Sequence, residues 1–155
     1  MEDVVIVDAA RSAVGRKNGT LGLVHPSDTL GPVMMQLLER NGVSPDTVDQ
    51  IIGGCINKLA AQGMNITRTA WLSHGGAEGT PCITIDSQCG SSQEAVHLAT
   101  SQLRAGMADV VMACGVENMS RLPIGSDSVG LAPELGKPVS RSYFEQFEFT
   151  SQFEG

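Results

Sequence analysis

No stretch of this sequence is apolar for long enough to span a bilayer, so a membrane-spanning helix is not expected. Its first residues carry acids, Glu2 and Asp3, where a secretion signal has a basic start, and the apolar run behind them stops at Asp8. Cytoplasmic location is the default expectation. Cationic side chains are also in short supply, ten against seventeen acidic ones, for a net charge of −7. That balance excludes the usual nucleic-acid-binding domain, whose affinity depends on neutralising phosphates. Missing too is any Cys-x-x-Cys pair or cysteine–histidine ligand spacing, so neither a structural zinc nor a redox dithiol is signalled. Neither an internal repeat nor a low-complexity tract is present.

What remains is the composition of a soluble globular domain, 41% apolar and 17% charged over 155 residues. Residues 4–7 form a short β-branched apolar run, the mark of a strand covered on both faces, and they are expected to supply a central strand. Ser27 or Asp28 is placed to cap a helix through Leu30, Val33, Met34, Leu37 and Leu38, stopping at Asn41 and Gly42. Further strands are expected over 51–56, 82–85 and 108–114, with helices from Asn65 to His74 and from Cys89 to about Gly106. Four apolar strands separated by helices imply βαβ units, and hence an α/β fold with a mainly parallel sheet and helices on both faces.

Of four cysteines, Cys55, Cys82 and Cys114 fall in expected strands and read as reduced core residues. Cys89 differs. It lies just past the third expected strand, in DSQCGSSQEAVHLA, where the period turns helical. Ligands of parallel sheets gather at the carboxyl ends of strands, and the partial positive charge of a helix N-terminus favours a thiolate. Gly90 leaves room for a substrate beside it. On the helix that follows, Ala95, Leu98, Ala99 and Leu103 share a core-facing stripe, while Gln93, Glu94, His97 and Ser101 lie elsewhere. Local chemistry leaves two readings open: a nucleophile, or the small buried hydrophobe that most free cysteines are.

From Glu117 onward the sequence turns rich in Pro, Gly and Ser and reads as a long loop. Tyr143 and all four phenylalanines then crowd into the last thirteen residues. So dense an aromatic group calls for burial, either on this domain or on a partner.

Four strings, VVIVDAARSAVGR, GMNITRTAWLSHG, QCGSSQEAVHLA and ADVVMACGVENMSRLP, occur in the order in which thiolases carry them, and together they span the chain. The sequence therefore resembles the thiolases, which exchange and condense acyl groups on coenzyme A. The form QCGSSQ is similar to the degradative and acetyl-CoA acetyltransferase branch associated with fatty-acid and sterol-side-chain breakdown. The resemblance implies that Cys89 is the acyl-accepting nucleophile, and that its backbone N–H, shaped by Gly90, helps form an oxyanion hole. It also implies a layered αβαβα whole, coenzyme A and acyl-CoA as substrates with no permanently bound cofactor or metal, and a homo-oligomer, dimer or tetramer.

The family's later blocks, Asn-Glu-rich, Gly-His-Pro and Cys-x-Gly, do not occur in these residues. Residues 1–120 are accordingly expected to be the N-terminal domain lacking its last strand, and 121–155 the start of an inserted loop domain. The C-terminal half, in the same protein or a second chain, is the expected partner, and this chain alone is expected to be inactive. An isolated chain of this kind would expose a sheet edge, an aggregation liability. His25, His74 and His97 lack any motif for the base and are expected at the surface or behind the site. Arg11 and Gly15 resemble a structural block, and Arg68 and Arg121 are expected to be ordinary solvated arginines, with a salt bridge or a ligand-facing role as the alternative. A ketoacyl-synthase-like condensing enzyme, or a non-catalytic fragment of the same fold, are the alternative readings.

Overall fold

The computed structural model describes residues 3–129 and 140–146. Three parallel strands form its sheet: β1 (Gln50–Gly54), β2 (Cys82–Ile85) and β3 (Val111–Gly115), in the order β2-β1-β3. Ile51 stands opposite Cys82 on one side and Met112 on the other. The longer helices are α1 (Pro26–Arg40), α2 (Ile66–Ser73) and α3 (Ser91–Arg104). The fold is α/β, with helices on both faces of the sheet.

The period of two along a strand creates these two faces. Ile51 and Ile52, neighbours in β1, are both fully buried but in different clusters. Ile51 packs among Leu30, Met34 and Leu38 of α1, Ala70 and Trp71 of α2, and Met112. Ile52 packs against Ala95 and Ala99 of α3, flanked by Ile83, Ile85 and Val111. Burying one such side chain stabilises a domain by roughly 1.5–3 kcal/mol, so Ile51 and Ile52 hold β1 from both sides. Trp71 is fully buried and its indole N–H donates to the Ala77 carbonyl at 2.9 Å. No helix among the described residues is long and apolar enough to cross a membrane.

Local signals set most boundaries. Asn65 caps α2 by accepting from the Arg68 N–H at 3.1 Å, and Gly75, with φ of +94°, follows its end. The start of α1 lies earlier than Ser27 or Asp28. His25 is its N-cap, its Nδ1 accepting from the Ser27 N–H at 3.2 Å, and Pro26 fills the first turn, where no N–H is needed. An imidazole nitrogen does there what a hydroxyl or carboxylate usually does.

The expected central strand over residues 4–7 is a correction. Those residues join no ladder, and Val5, Ile6 and Val7 are 70%, 79% and 79% exposed; β1 takes the central place. A β-branched run becomes a strand only beside a neighbouring strand, and none of the three pairs with it. The segment is tied down just beyond, where Asp8 receives a fork from Arg40 (Nε 2.6 Å, Nη2 2.7 Å) and the Asn41 amide at 2.6 Å. Those hydrogen bonds hold the Asp8 carboxyl well below the usual carboxylate range.

A second compact unit begins at Ile124. Its described parts are α4 (Ser126–Val129) and α5 (Arg141–Gln146), the latter with an Arg141–Glu145 ion pair at 2.9 Å. Of the aromatic group, Tyr143 is half exposed, and Phe147, Phe149 and Phe153 lie outside the described residues.

Candidate active site

At the carboxyl end of β2 the chain makes one tight turn before α3 begins. Asp86 starts it by accepting the Gln88 N–H on Oδ1 at 2.8 Å, a side chain mimicking a backbone turn. Gln88 takes φ of +54°, a left-handed conformation uncommon outside glycine. The Gly90 and Ser91 N–H groups return to the Ser87 and Gln88 carbonyls at 3.1 and 3.0 Å. Ser91 closes the turn from within, accepting from the Ser87 N–H at 3.0 Å and donating to the Gln88 carbonyl at 2.5 Å.

Cys89 sits at the apex of this turn and is exposed. None of the hydrogen bonds among the described residues uses its N–H, which is left unspent beside its own thiol. Gly90 is the helix N-cap and supplies no side-chain cap, so the first turn of α3 stays uncovered at that point.

Two glycines seat the helix under this turn. A Cβ on Gly54, the last residue of β1, would lie 2.5 Å from the Ser92 nitrogen and 2.6 Å from the Ser91 carbonyl carbon. One on Gly115, the last residue of β3, would collide with the Ser92 hydroxyl and lie 2.9 Å from the Gly54 carbonyl oxygen. Close approach, rather than any φ requirement, is what glycine provides at both strand ends.

The loops after β1 and β3 are joined by polar groups that sequence reasoning missed. Glu117 accepts from the Ile56 N–H at 2.8 Å and the Asn57 N–H at 3.4 Å, and from the Gln62 amide at 2.6 Å. Gln62, fully buried, also accepts the Asn118 N–H at 2.6 Å, and the Asn118 amide reaches the carbonyls of Leu21, Gly22 and Val24. Lys58 pairs with Asp86 at 3.2 Å, linking the loop after β1 to the turn itself. The available signal was a set of amides and carboxylates placed directly after apolar strand runs.

The other candidates are elsewhere. His25 caps α1; His74 ends α2 with Nδ1 3.1 Å from the Ala70 carbonyl; His97 is exposed on α3 beside Glu94. None of the three hydrogen-bonds or ion-pairs with Cys89. Burial pushes the Cys55 thiol up to about 12, with the Glu117 carboxylate adding to it, and pushes Cys114 to about 12 as well. Cys82 is raised for the same reason. These three are inert interior thiols and Cys89 is the accessible one. Arg68 and Arg121 are not simply solvated. Arg68 braces the approach to β2 by donating to the Thr80 and Glu78 carbonyls, and Arg121 donates to the Leu23 carbonyl at 2.6 Å. Among the described residues no cluster of His, Cys, Asp or Glu has the spacing to hold a metal ion.

Residues 4–138 match the family model for the thiolase N-terminal domain. The chain belongs to the thiolase family. It is 40% identical over 151 residues to a steroid 3-ketoacyl-CoA thiolase of Mycobacterium tuberculosis, covering 97% of this chain and 34% of that protein. A 3-ketoacyl-CoA thiolase of Salmonella typhimurium is 38% identical over 144 residues, covering 92% and 37%. One from Chromohalobacter salexigens is 36% identical over 142 residues, covering 90% and 36%. The chain thus spans about a third of the length of the curated relatives it matches. In this thiolase chain the strand–turn–helix element around Cys89 is the part that presents an exposed thiol.

Proposed function

We propose that this chain supplies the nucleophile-bearing part of a 3-ketoacyl-CoA thiolase, with Cys89 as acyl acceptor. The observation that carries the reading is Cys89 itself: an exposed thiol at a sheet's carboxyl edge, at a helix N-terminus, with its own N–H unspent.

In thiolysis the Cys89 thiolate attacks the C3 carbonyl carbon of a 3-ketoacyl-CoA. An S–C bond forms and the carbonyl electrons move to oxygen, where the Cys89 N–H is a donor; one such donor is worth about 3 kcal/mol of transition-state stabilisation. Collapse breaks the C2–C3 bond, and acetyl-CoA leaves as its enolate and takes up a proton. The thiol of free coenzyme A, giving up a proton that balances the one taken by the enolate, then attacks the acyl-cysteine, and cleavage of its S–C bond releases the shortened acyl-CoA and the Cys89 thiolate. The reverse direction is a Claisen condensation of acetyl-CoA.

Completion by a C-terminal thiolase half is part of the reading, since no described histidine or second cysteine engages Cys89. Residues 1–120 are then the N-terminal domain and 121–155 the start of its inserted loop domain, in a cytoplasmic homo-oligomer. The substrate class in this reading is fatty acyl or sterol-derived thioesters, a choice supported by the steroid named for one relative and the 3-ketoacyl-CoA named for the others. Acetoacetyl-CoA thiolysis by the completed protein tests this. Wild type should turn over, and Cys89→Ala should lose at least about a thousandfold in rate, as nucleophile deletions do. Undiminished turnover by the variant would overturn the assignment.

A further inference from the structure

Cys89 stands on a turn that does not hold itself. Gln88, with φ of +54°, is in a conformation that persists only where neighbours enforce it. The neighbour nearest in sequence is Asp86, whose Oδ1 accepts the Gln88 N–H at 2.8 Å. Its other oxygen meets Lys58 Nζ at 3.2 Å. We propose that Lys58 is a positioning residue for Cys89, neutralising the Asp86 carboxylate so that it holds the left-handed turn without opposing ionisation of the thiol three residues on.

Magnitudes favour position over stability as its purpose. The two side chains are 34% and 28% exposed, and a pair so accessible to water adds little to folding. Lys58, by contrast, rides on a well-fixed loop. Its own N–H returns to the Ile56 carbonyl at 2.9 Å, the Ile56 N–H is held by Glu117 at 2.8 Å, and the Cys55 N–H extends the pairing of β1 with β2 by donating to the Ile85 carbonyl at 3.1 Å. The ammonium is therefore delivered to the turn by the same loops that end the strands.

Charge gives the pair a second effect. A bare carboxylate near a thiol opposes ionisation of that thiol; a neutralised one does not. Two other carboxylates lie in this part of the fold: Glu117, which accepts from the Ile56 and Asn57 N–H groups and the Gln62 amide and so keeps its charge, and Glu94, beside His97 at 3.3 Å on the exposed side of α3; neither changes in the variants below. Lys58 is the one cation ion-paired to the turn among the described residues.

The proposal rests on Cys89 being the nucleophile, but its test does not need turnover. In the intact protein, the rate of Cys89 alkylation by iodoacetamide is followed from about pH 6 to about pH 10, with the labelled peptide identified by mass. Lys58→Met should move the profile to higher pH and slow labelling at neutral pH by roughly threefold to tenfold. Asp86→Asn should move it to lower pH. The double variant should return close to wild type, because its charge is balanced and the Asn oxygen still accepts the Gln88 N–H. Lys58→Arg should retain the wild-type profile.

Coincident profiles for all variants would overturn the proposal, as would equal slowing in Lys58→Met and the double variant, which is what a purely structural role gives. Should Lys58→Met fail to fold, the near-isosteric Asp86→Asn decides, an unmoved profile counting against the idea. Shifted profiles in a protein without thiolysis would instead contradict the proposed function and leave the positioning role standing.

Discussion

Four thiols in one small fold have opposite fates because of where each side chain ends. Cys55 is 2% exposed after β1 and Cys114 packs beside the α1–α2 cluster, whereas Cys89 projects at a turn. A thiol buried in the folded state binds its proton more tightly there than in the unfolded chain. Its stabilising contribution is whole below the unfolded thiol value, about 8.5, and is lost as pH rises toward the folded values of about 12. Thermal stability should accordingly fall on going from about pH 8 to about pH 11, with a smaller fall in the Cys55→Ala/Cys114→Ala variant than in wild type. Equal falls in melting temperature would show that these thiols stay protonated in both states or ionise without penalty.

The element that matters most is α3, since the turn leading into it carries Cys89 and its first residues rest on two glycines. Gly115→Ala should destabilise the protein by about 1–3 kcal/mol, the usual range for overpacking, because the added methyl meets the Gly54 carbonyl as well as the Ser92 hydroxyl. Denaturant melts measure this, and a variant as stable as wild type would mean that α3 shifts freely. Much of this element was legible in the sequence. Its core stripe at Ala95 and Ala99, the bounds of β2 and the start of α2 at about Asn65 follow from periodicity, which depends on near neighbours in the chain. The seats at Gly54 and Gly115 were not legible, because what a missing Cβ makes room for is set by residues far away in sequence. Nor was the Glu117–Gln62 link, which spans 55 residues. His25 escaped as a cap because its role depends on which ring nitrogen is free to accept.

At the scale of the molecule, one expectation failed for a reason that bears on function. Residues 4–7 have the composition of a buried strand, yet Val5, Ile6 and Val7 lie exposed and join no ladder. β-Branched residues left open in this way offer themselves to a further strand, and in the proposed function the base for Cys89 comes from the C-terminal half. Among the described residues no histidine or second cysteine engages the exposed Cys89 thiol. The account is tested most directly by incubating the protein with acetoacetyl-CoA, with and without that half, and mapping adducts by peptide mass. A single acetyl group on Cys89, formed only in the completed protein and absent from Cys89→Ala, is the expected result. An acyl group on another residue, or none in a completed protein that still cleaves the substrate, would contradict it.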